Sequence, residues 1–262
     1  EDCSDGVDND QNGYINDCHG YDFLDGDSTV NDGDMVHGTH VAGTIGAVGN
    51  NGSGVVGVNW QVSIISAKIF DGESTSLSVA IEAIEYLTKL RRDQGVNIAV
   101  INASWGAAGN STAINTAISK AGDVGIAFVA AAGNSSVNND INPQTPANAD
   151  CSSELRDWDC VVSVAAIQED GVLASYSHFG TATVDIAAPG TDIVSTYPNG
   201  QYGSLTGTSM AAPHVTGALA LCVAAFQGNS AEDAIRFMRE NAKPTDSLSG
   251  KVATNGRLDI SS

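Results

Sequence analysis

The chain of 262 residues is 42% hydrophobic, which suffices for one large α/β domain or two small ones and excludes a disordered tail or a small disulfide-dependent scaffold. Its 11 Lys and Arg against 31 Asp and Glu give a net charge of −20, which argues against nucleic acid and anionic lipid as partners. No apolar run approaches transmembrane length, so we expect no membrane association, and residues 1–6 are too polar for a signal peptide.

No internal repeat and no linker divides the chain, so we expect a single domain over residues 1–262 that opens with an acidic loop. Short β-branched runs then alternate with helical segments. This alternation predicts an α/β fold with a doubly wound, mostly parallel central sheet and helices on both faces. Functional residues should gather at the carboxyl ends of its strands. The predicted strands are 62–70, 98–103, 125–131, 161–166 and 184–188, and the predicted helices are 78–90, 113–121, 209–226 and 231–241.

Four of the five cysteines flank two polar loops, which fits an oxidised, secreted protein. Pairing within each loop, Cys3 with Cys18 and Cys151 with Cys160, is the preferred arrangement. Sequence alone does not fix the connectivity, and four reduced thiols are the alternative. The fifth, Cys222, lies in an apolar run without a neighbouring base, which favours a buried hydrophobic role over a nucleophilic one.

Three segments carry side chains suited to catalysis. Ser209 begins an apolar helix after a small-residue turn (GTSMAAPHV), where it is either a nucleophile beside free N–H groups or merely a helix cap. His37 heads the segment HGTHVAGT and could act as a general base. With His40 it could also bind a metal, but no Glu stands between them as in a zinc-protease helix. Asn134 ends a buried strand (AAAGN) with an amide that could donate to an oxyanion.

Together these segments resemble the subtilisin-like serine proteases, in the order that the family has them, from about residue 20 to Leu258. The resemblance implies a secreted, monomeric endopeptidase, made as a zymogen with an N-terminal prodomain, that hydrolyses polypeptides through an acyl-enzyme. It assigns Ser209 as nucleophile, His37 as base and acid, and Asn134 as oxyanion donor. The segment that would pair with extended substrate comprises Ser104, Trp105 and Gly106.

The aspartate of the family's triad should precede His37 at the end of a buried strand, and no such motif is visible. We therefore expect the family's usual first strand to be missing from residues 1–262. Three interpretations stay open. An upstream peptide carries the strand and its Asp, or the chain is an inactive peptide-binding homologue, or another acid such as Asp25 substitutes.

The acidic segment over residues 1–19 resembles the first half of a calcium loop, because oxygen-bearing residues alternate around a glycine. Some members of the family carry a similar insertion. We therefore expect a structural Ca²⁺ whose ligands are Asp8, Asp10, Asn12, Tyr14 and Asp17. A solvated acidic loop is the alternative.

Overall fold

The computed structural model describes residues 3–30, 36–72, 74–225 and 230–261. Its strands are β1 (Gly20–Asp22), β2 (Ser66–Lys68), β3 (Val100–Ala103), β4 (Ala107–Ala108), β5 (Ala127–Ala131), β6 (Gln144–Thr145), β7 (Val161–Ile167), β8 (Ile186–Pro189), β9 (Ile193–Tyr197), β10 (Gln201–Leu205), β11 (Lys243–Pro244) and β12 (Gly256–Arg257). Its α-helices are α1 (Val36–Gly46), α2 (Leu77–Asp93), α3 (Thr112–Asp123), α4 (Thr208–Ala225) and α5 (Ala231–Glu240).

A six-stranded sheet in the order β11-β12-β8-β7-β5-β3 forms the centre of the molecule. The pairs β3-β5, β5-β7, β7-β8 and β8-β12 are parallel, and β11 pairs antiparallel with β12 at one edge. Every residue of β5 and β7 is buried, as expected for strands covered on both faces. The prediction of an α/β fold with a mostly parallel sheet is confirmed.

Strand β5 shows how the two faces are covered. Phe128 and Ala130 belong to the hydrophobic cluster that includes α2 and α3. Ala127 and Val129 belong to the opposite cluster, which includes α4 and α5. Because successive side chains of a strand point to opposite faces, this alternation places helices on both sides of the sheet.

Three helices begin at serines whose side chains accept a hydrogen bond from the first turn. Ser76 caps α2, Ser111 caps α3, and Ser230 forms a capping box with Asp233 at α5. Such caps satisfy N–H groups that have no partner within the helix, and each stabilises the fold by about 1 kcal/mol.

Helix α4 has the length and apolar composition of a membrane span, contrary to the expectation that no run approaches that length. Its packing explains this composition, because it lies against β3, β5, β7 and β8 on one side and contacts α1 and α5. Half of its residues are buried in the core. The run is not evident from the sequence, because Ser209, Pro213 and His214 interrupt the apolar residues of α4.

A separate parallel pair joins β1 to β2. The sequence predicted a strand over residues 62–70, but β2 covers only Ser66–Lys68, because β1, its one partner strand among the described residues, is equally short. The pair is fixed by an ion pair of 2.6 Å between Lys68 and the fully buried Asp22. The β9-β10 hairpin and the β4-β6 pair were not predicted, since they lie outside the apolar runs of the sheet.

Both predicted disulfides, Cys3–Cys18 and Cys151–Cys160, are present in the structure. Cys222 is half-buried and packs against the cluster between α4 and the sheet, which agrees with a packing role. The end of predicted helix 209–226, residue 226, lies outside the described residues.

Candidate active site

Ser209 is the second residue of α4, and its side chain is half-buried. The first four N–H groups of a helix have no partner within it, so the Ser209 amide lies at an end suited to an anion. The Ser209 hydroxyl donates to the Ser104 carbonyl oxygen at 3.1 Å, and the Ser104 hydroxyl donates to the Ser209 carbonyl oxygen at 2.8 Å. This reciprocal pair joins the start of α4 to the end of β3.

Asn134 follows β5, and its side chain is exposed next to the start of α4. Its Oδ1 accepts hydrogen bonds from the Thr208 amide at 2.8 Å and from the Thr208 hydroxyl at 2.9 Å. These two bonds fix the orientation of the amide and leave Nδ2 as its donor. A Cβ placed on Gly207 would lie 3.3 Å from Nδ2 of Asn134 and 3.7 Å from the Ser209 nitrogen. The two donors therefore border one small space, which stays open because residue 207 is a glycine.

His37 is the second residue of α1, and its side chain is exposed. The protein surrounding its ring lowers the pKa of His37 below the ordinary value, and His40 lowers it further. Helix α1 packs against α4 through Val41, Ile45 and Met210. His40 is buried and contacts the Ile193 carbonyl oxygen at 2.7 Å, which anchors the first turn of α1 to β9.

The segment Ser104–Trp105–Gly106 continues β3 as non-helical chain and leads into β4. Ser104 and Trp105 are half-buried, and Gly106 is exposed. Since Ser104 exchanges hydrogen bonds with Ser209, this segment lies directly beside the start of α4. An extended chain bound along it would pass Ser209.

The chain is similar to known proteins of one family. A family model described as the subtilase family matches residues 2–257. The chain belongs to the subtilase family. It is 40% identical over 214 residues to subtilisin DY of Bacillus licheniformis, covering 81% of this chain and 72% of that protein. It is 37% identical over 242 residues to thermitase of Thermoactinomyces vulgaris, covering 92% of this chain and 78% of that protein.

Solved structures show the same fold. A cold-adapted subtilisin-like serine proteinase superposes with a TM-score of 0.71 at 31% identity, over 92% of this chain and 78% of that one. A protease from Pseudoalteromonas arctica superposes with a TM-score of 0.76 at 28% identity, over 95% of this chain and 85% of that one. The fold and the family are thus those of subtilisin-like serine endopeptidases.

The acid that a subtilase triad requires is not identified beside His37. Within the described residues no carboxylate forms an ion pair with the His37 ring, and its pKa is lowered by the surrounding protein and by His40. Asp25, the substitute considered from the sequence, is exposed in the turn after β1, where its amide donates to Asp22. Nothing in the structure brings Asp25 to His37.

The acidic loop gathers the predicted calcium ligands only in part. In the described part of the chain, no group of three or more His, Cys, Asp or Glu side chains is arranged to hold a metal ion. The Asn12 amide instead donates to Asp10 at 3.1 Å and to Asp17 at 2.8 Å. Burial raises the pKa of Asp10, and the Asp17 and Asp8 carboxylates raise it further, as expected where anions are crowded.

One atom of this loop does favour a cation. Asp17 is buried, and its Oδ2 accepts from the Tyr86 hydroxyl at 2.6 Å, while its Oδ1 is buried without a hydrogen-bond partner. A buried, unpaired carboxylate oxygen is costly unless it is bonded or coordinates a cation. Carboxylate and amide oxygens are ligands that Ca²⁺ prefers, so the residues present fit a calcium ion. The ring of Tyr14 packs against Tyr21 and Tyr86, which leaves its backbone carbonyl as the predicted ligand.

Sequence reasoning missed the residues that hold the catalytic candidates. Thr208 orients Asn134. Asn102 donates to the Ser104 hydroxyl at 2.9 Å and accepts from the Thr216 hydroxyl at 2.8 Å. The available signal was a polar asparagine within the apolar strand β3, since a polar side chain that is half-buried beside a core requires a partner.

Proposed function

We propose that this subtilase hydrolyses peptide bonds through an acyl-enzyme on Ser209. The Ser209 hydroxyl attacks the substrate carbonyl carbon while His37 takes its proton. His37 then gives that proton to the leaving amine, and water releases the acyl group by the reverse sequence. The lowered pKa of His37 supports the role of base, because the ring is then neutral at pH values at which an ordinary histidine is already protonated.

The observation that carries this proposal is the fixed orientation of Asn134. Thr208 holds Oδ1 through two hydrogen bonds, so Nδ2 is the atom available to an oxyanion. The Ser209 amide borders the same space beside Gly207. Donors that are already oriented need no rearrangement when negative charge develops, and this is the main source of electrostatic catalysis.

In the free protein the Ser209 hydroxyl donates to the Ser104 carbonyl oxygen, not to a base. Catalysis therefore requires the hydroxyl to rotate toward His37. We infer that an extended substrate lies along Ser104, Trp105 and Gly106, adding a strand to this segment with its scissile carbonyl over Ser209. Polypeptides are the expected substrates.

We further propose that an aspartate on a strand between β2 and β3 orients His37. β2 ends the two-stranded pair and β3 ends the six-stranded sheet, so each has one edge without a partner strand in the described residues. Ala67 of β2 and Ile101 of β3 pack on the same hydrophobic cluster. An added strand there would satisfy the backbone groups of both edges. The residue that supplies the aspartate is not identified in the described residues.

The rival function is a peptide-binding pseudoenzyme, favoured by the absence of a carboxylate beside His37 among the described residues. Hydrolysis of an unlabelled denatured protein, followed by mass spectrometry of the products, separates the two. New internal cleavages by the wild-type protein, absent with Ser209→Ala, support the peptidase. Saturable peptide binding without cleavage would support the pseudoenzyme.

We also propose that the acidic loop binds a structural Ca²⁺ through Asp8, Asp10, Asn12, Tyr14 and Asp17. The ion would neutralise crowded carboxylates and satisfy the unpaired Oδ1 of Asp17. Two disulfides support secretion into an oxidising compartment. A single domain over residues 1–262 remains a proposal from the lack of repeats and linkers, and a monomeric state and a zymogen with an N-terminal prodomain remain proposals from the resemblance.

A further inference from the structure

A buried histidine outside the catalytic candidates lies directly behind the strand end that carries Asn134. His178 is only 3% exposed. Its Nδ1 lies 2.8 Å from Oδ1 of Asn139, and its Nε2 is buried without a hydrogen-bond partner. The mechanism proposed above uses neither nitrogen, so a polar ring in this place requires another explanation.

The hydrogen bonds define the state of this ring. Nδ2 of Asn139 donates to the Ala132 carbonyl oxygen at 3.0 Å, so Oδ1 of Asn139 faces His178 as an acceptor. His178 must therefore carry its proton on Nδ1. Protonation of Nε2 would add a buried N–H without a partner, and burial accordingly lowers the pKa of His178.

The His178 ring occupies the space where residue 133 would have a side chain. A Cβ on Gly133 would lie 2.4 Å from Nδ1 of His178 and 2.5 Å from its Cε1, closer than any real Cβ contact. The His178 amide also donates to the Gly133 carbonyl oxygen at 2.9 Å. The ring thus lies against the backbone of Gly133, the residue before Asn134.

The other side of the same backbone is held by α4. The Gly133 amide donates to the Thr208 hydroxyl at 3.1 Å, and that hydroxyl donates to Oδ1 of Asn134. Residues 132–134 are therefore held between the His178–Asn139 pair and Thr208. Loss of the His178 ring would leave the backbone bond from the His178 amide but remove the side chain packed against Gly133, so the change would reach the Asn134 amide through the next residue along the chain.

We propose that His178 is a positioning residue for the oxyanion site, which acts on the Asn134 amide through Gly133. This inference rests on the proposed function. The neutral ring and its bond to Asn139 keep the strand end in the position where Nδ2 of Asn134 meets the developing oxyanion. Because this contact strengthens in the transition state, its loss should lower kcat with little change in KM.

Kinetics of His178→Ala test this role. We expect kcat to fall between about tenfold and a hundredfold, because small displacements of catalytic groups have effects of this size. In an Asn134→Ala background the same substitution should cost less than about twofold, because the two residues act as a unit. His178→Phe restores the ring volume and should recover part of kcat. Leu248→Ala is the control. It leaves a cavity in the hydrophobic cluster that contains Ala132, so it should lower the Tm without changing kcat.

Amide hydrogen exchange supplies a readout that does not depend on activity. His178→Ala and His178→Phe should reduce the protection of the Gly133 and Thr208 amides, whose acceptors are Thr208 and Asn134. Leu248→Ala should leave that protection unchanged relative to the rest of β5. Unchanged protection in both His178 variants, or an equal loss of kcat with and without Asn134, would overturn the proposal. A wild-type protein without peptidase activity would refute the proposed function, and exchange alone would then decide the positioning role.

Discussion

Two regions of the molecule hold their functional residues in different ways. In the nucleophile region, formed by β3, β5 and the start of α4, hydrogen bonds fix Ser209, Asn134 and Ser104 to one another or to Thr208. The amino-terminal region, formed by residues 3–30 and β2, depends on the Cys3–Cys18 disulfide, the Asp22–Lys68 ion pair and an aromatic cluster around Tyr14. The first region orients its candidate catalytic residues through contacts within the described chain, whereas we propose that the second is completed by further partners, a cation and an aspartate-bearing strand.

The difference has a physical origin. The nucleophile region rests on β5, a strand buried on both faces, next to which a buried polar group needs a fixed partner. Strands β1 and β2 form an isolated two-stranded pair, and such a pair is at best marginally stable without other contacts. Hydrogen bonds therefore hold the candidate catalytic residues most firmly next to the fully buried strand β5.

Removal of the Asn134 amide should give the largest effect on the nucleophile region. Asn134→Ala is expected to lower kcat by about 10²–10³-fold, the cost of one oxyanion donor, with KM nearly unchanged. Steady-state kinetics on a peptide substrate measure both constants. Asn138→Ala, a substitution four residues later outside the site, is the control. An Asn134→Ala enzyme with wild-type kcat would show that the orientation set by Thr208 has no catalytic role.

Calcium removal should affect the amino-terminal region specifically. At a Ca²⁺ concentration of about 100 Kd the bound ion stabilises the fold by about 2.7 kcal/mol. EDTA is therefore expected to lower the Tm by about 5–10 °C for a chain of this size. Calorimetry with and without EDTA measures the shift.

The matched variants for this test are Asp17→Asn and Glu169→Gln. Asp17→Asn keeps an acceptor for the Tyr86 hydroxyl but removes the charge, so its Tm should no longer respond to EDTA. Glu169 is exposed on another loop, and its variant should respond like wild type. An EDTA response that persists in Asp17→Asn would place the ion elsewhere.

The free energy of unfolding should depend on pH through Asp185, the residue directly before β8. Burial raises the pKa of Asp185 to about 6 although Arg239 lies 2.8 Å away and opposes the shift. A raised pKa means that the stability contributed by the protonated form is complete below the unfolded pKa of about 3.9 and is lost as pH rises through about 6.

Asp185→Asn removes this titration. The free energy of unfolding of the variant relative to that of wild type should increase between pH 4 and pH 7, by at most about 3 kcal/mol and, given partial exposure of the carboxylate, by about 2 kcal/mol. Thermal melts across this range provide the measurement. A difference that is constant with pH, or that decreases, would mean that Asp185 is ionised at low pH in the native state.

The smallest expected effect concerns the network behind the nucleophile. Asn102→Ala removes both the donor to Ser104 and the acceptor for Thr216, so kcat should fall by about tenfold. Thr216→Val removes only the outer bond and should have a smaller effect in the same direction. Steady-state kinetics of the two variants show which substitution lowers kcat more. A larger loss in Thr216→Val than in Asn102→Ala would contradict the proposed chain of contacts.

The sequence predicted four of the six strands of the central sheet (β3, β5, β7 and β8), the four helices proposed for its two faces and both disulfides, because hydrophobic runs and local spacing carry that information. The two-residue strands β11 and β12 at the edge of the sheet were not predicted. It could not predict that Thr208 orients Asn134, since these residues are 74 positions apart and meet only through the packing of α4 on β5. The role of His178 was equally hidden, because its contact with Gly133 depends on the path of the chain between β5 and β8. The hairpin of β9 and β10 was missed because its exposed strands lack an apolar run.

The most direct test of the central claim is labelling with a fluorophosphonate, which reacts with activated serine nucleophiles. We expect one label, which peptide mass spectrometry maps to Ser209 and which is absent from Ser209→Ala. In His37→Ala the labelling rate should fall by about 10²–10⁴-fold, the range for loss of a general base. A folded wild-type protein that leaves Ser209 unlabelled, or a labelling rate that does not change in His37→Ala, would contradict the account.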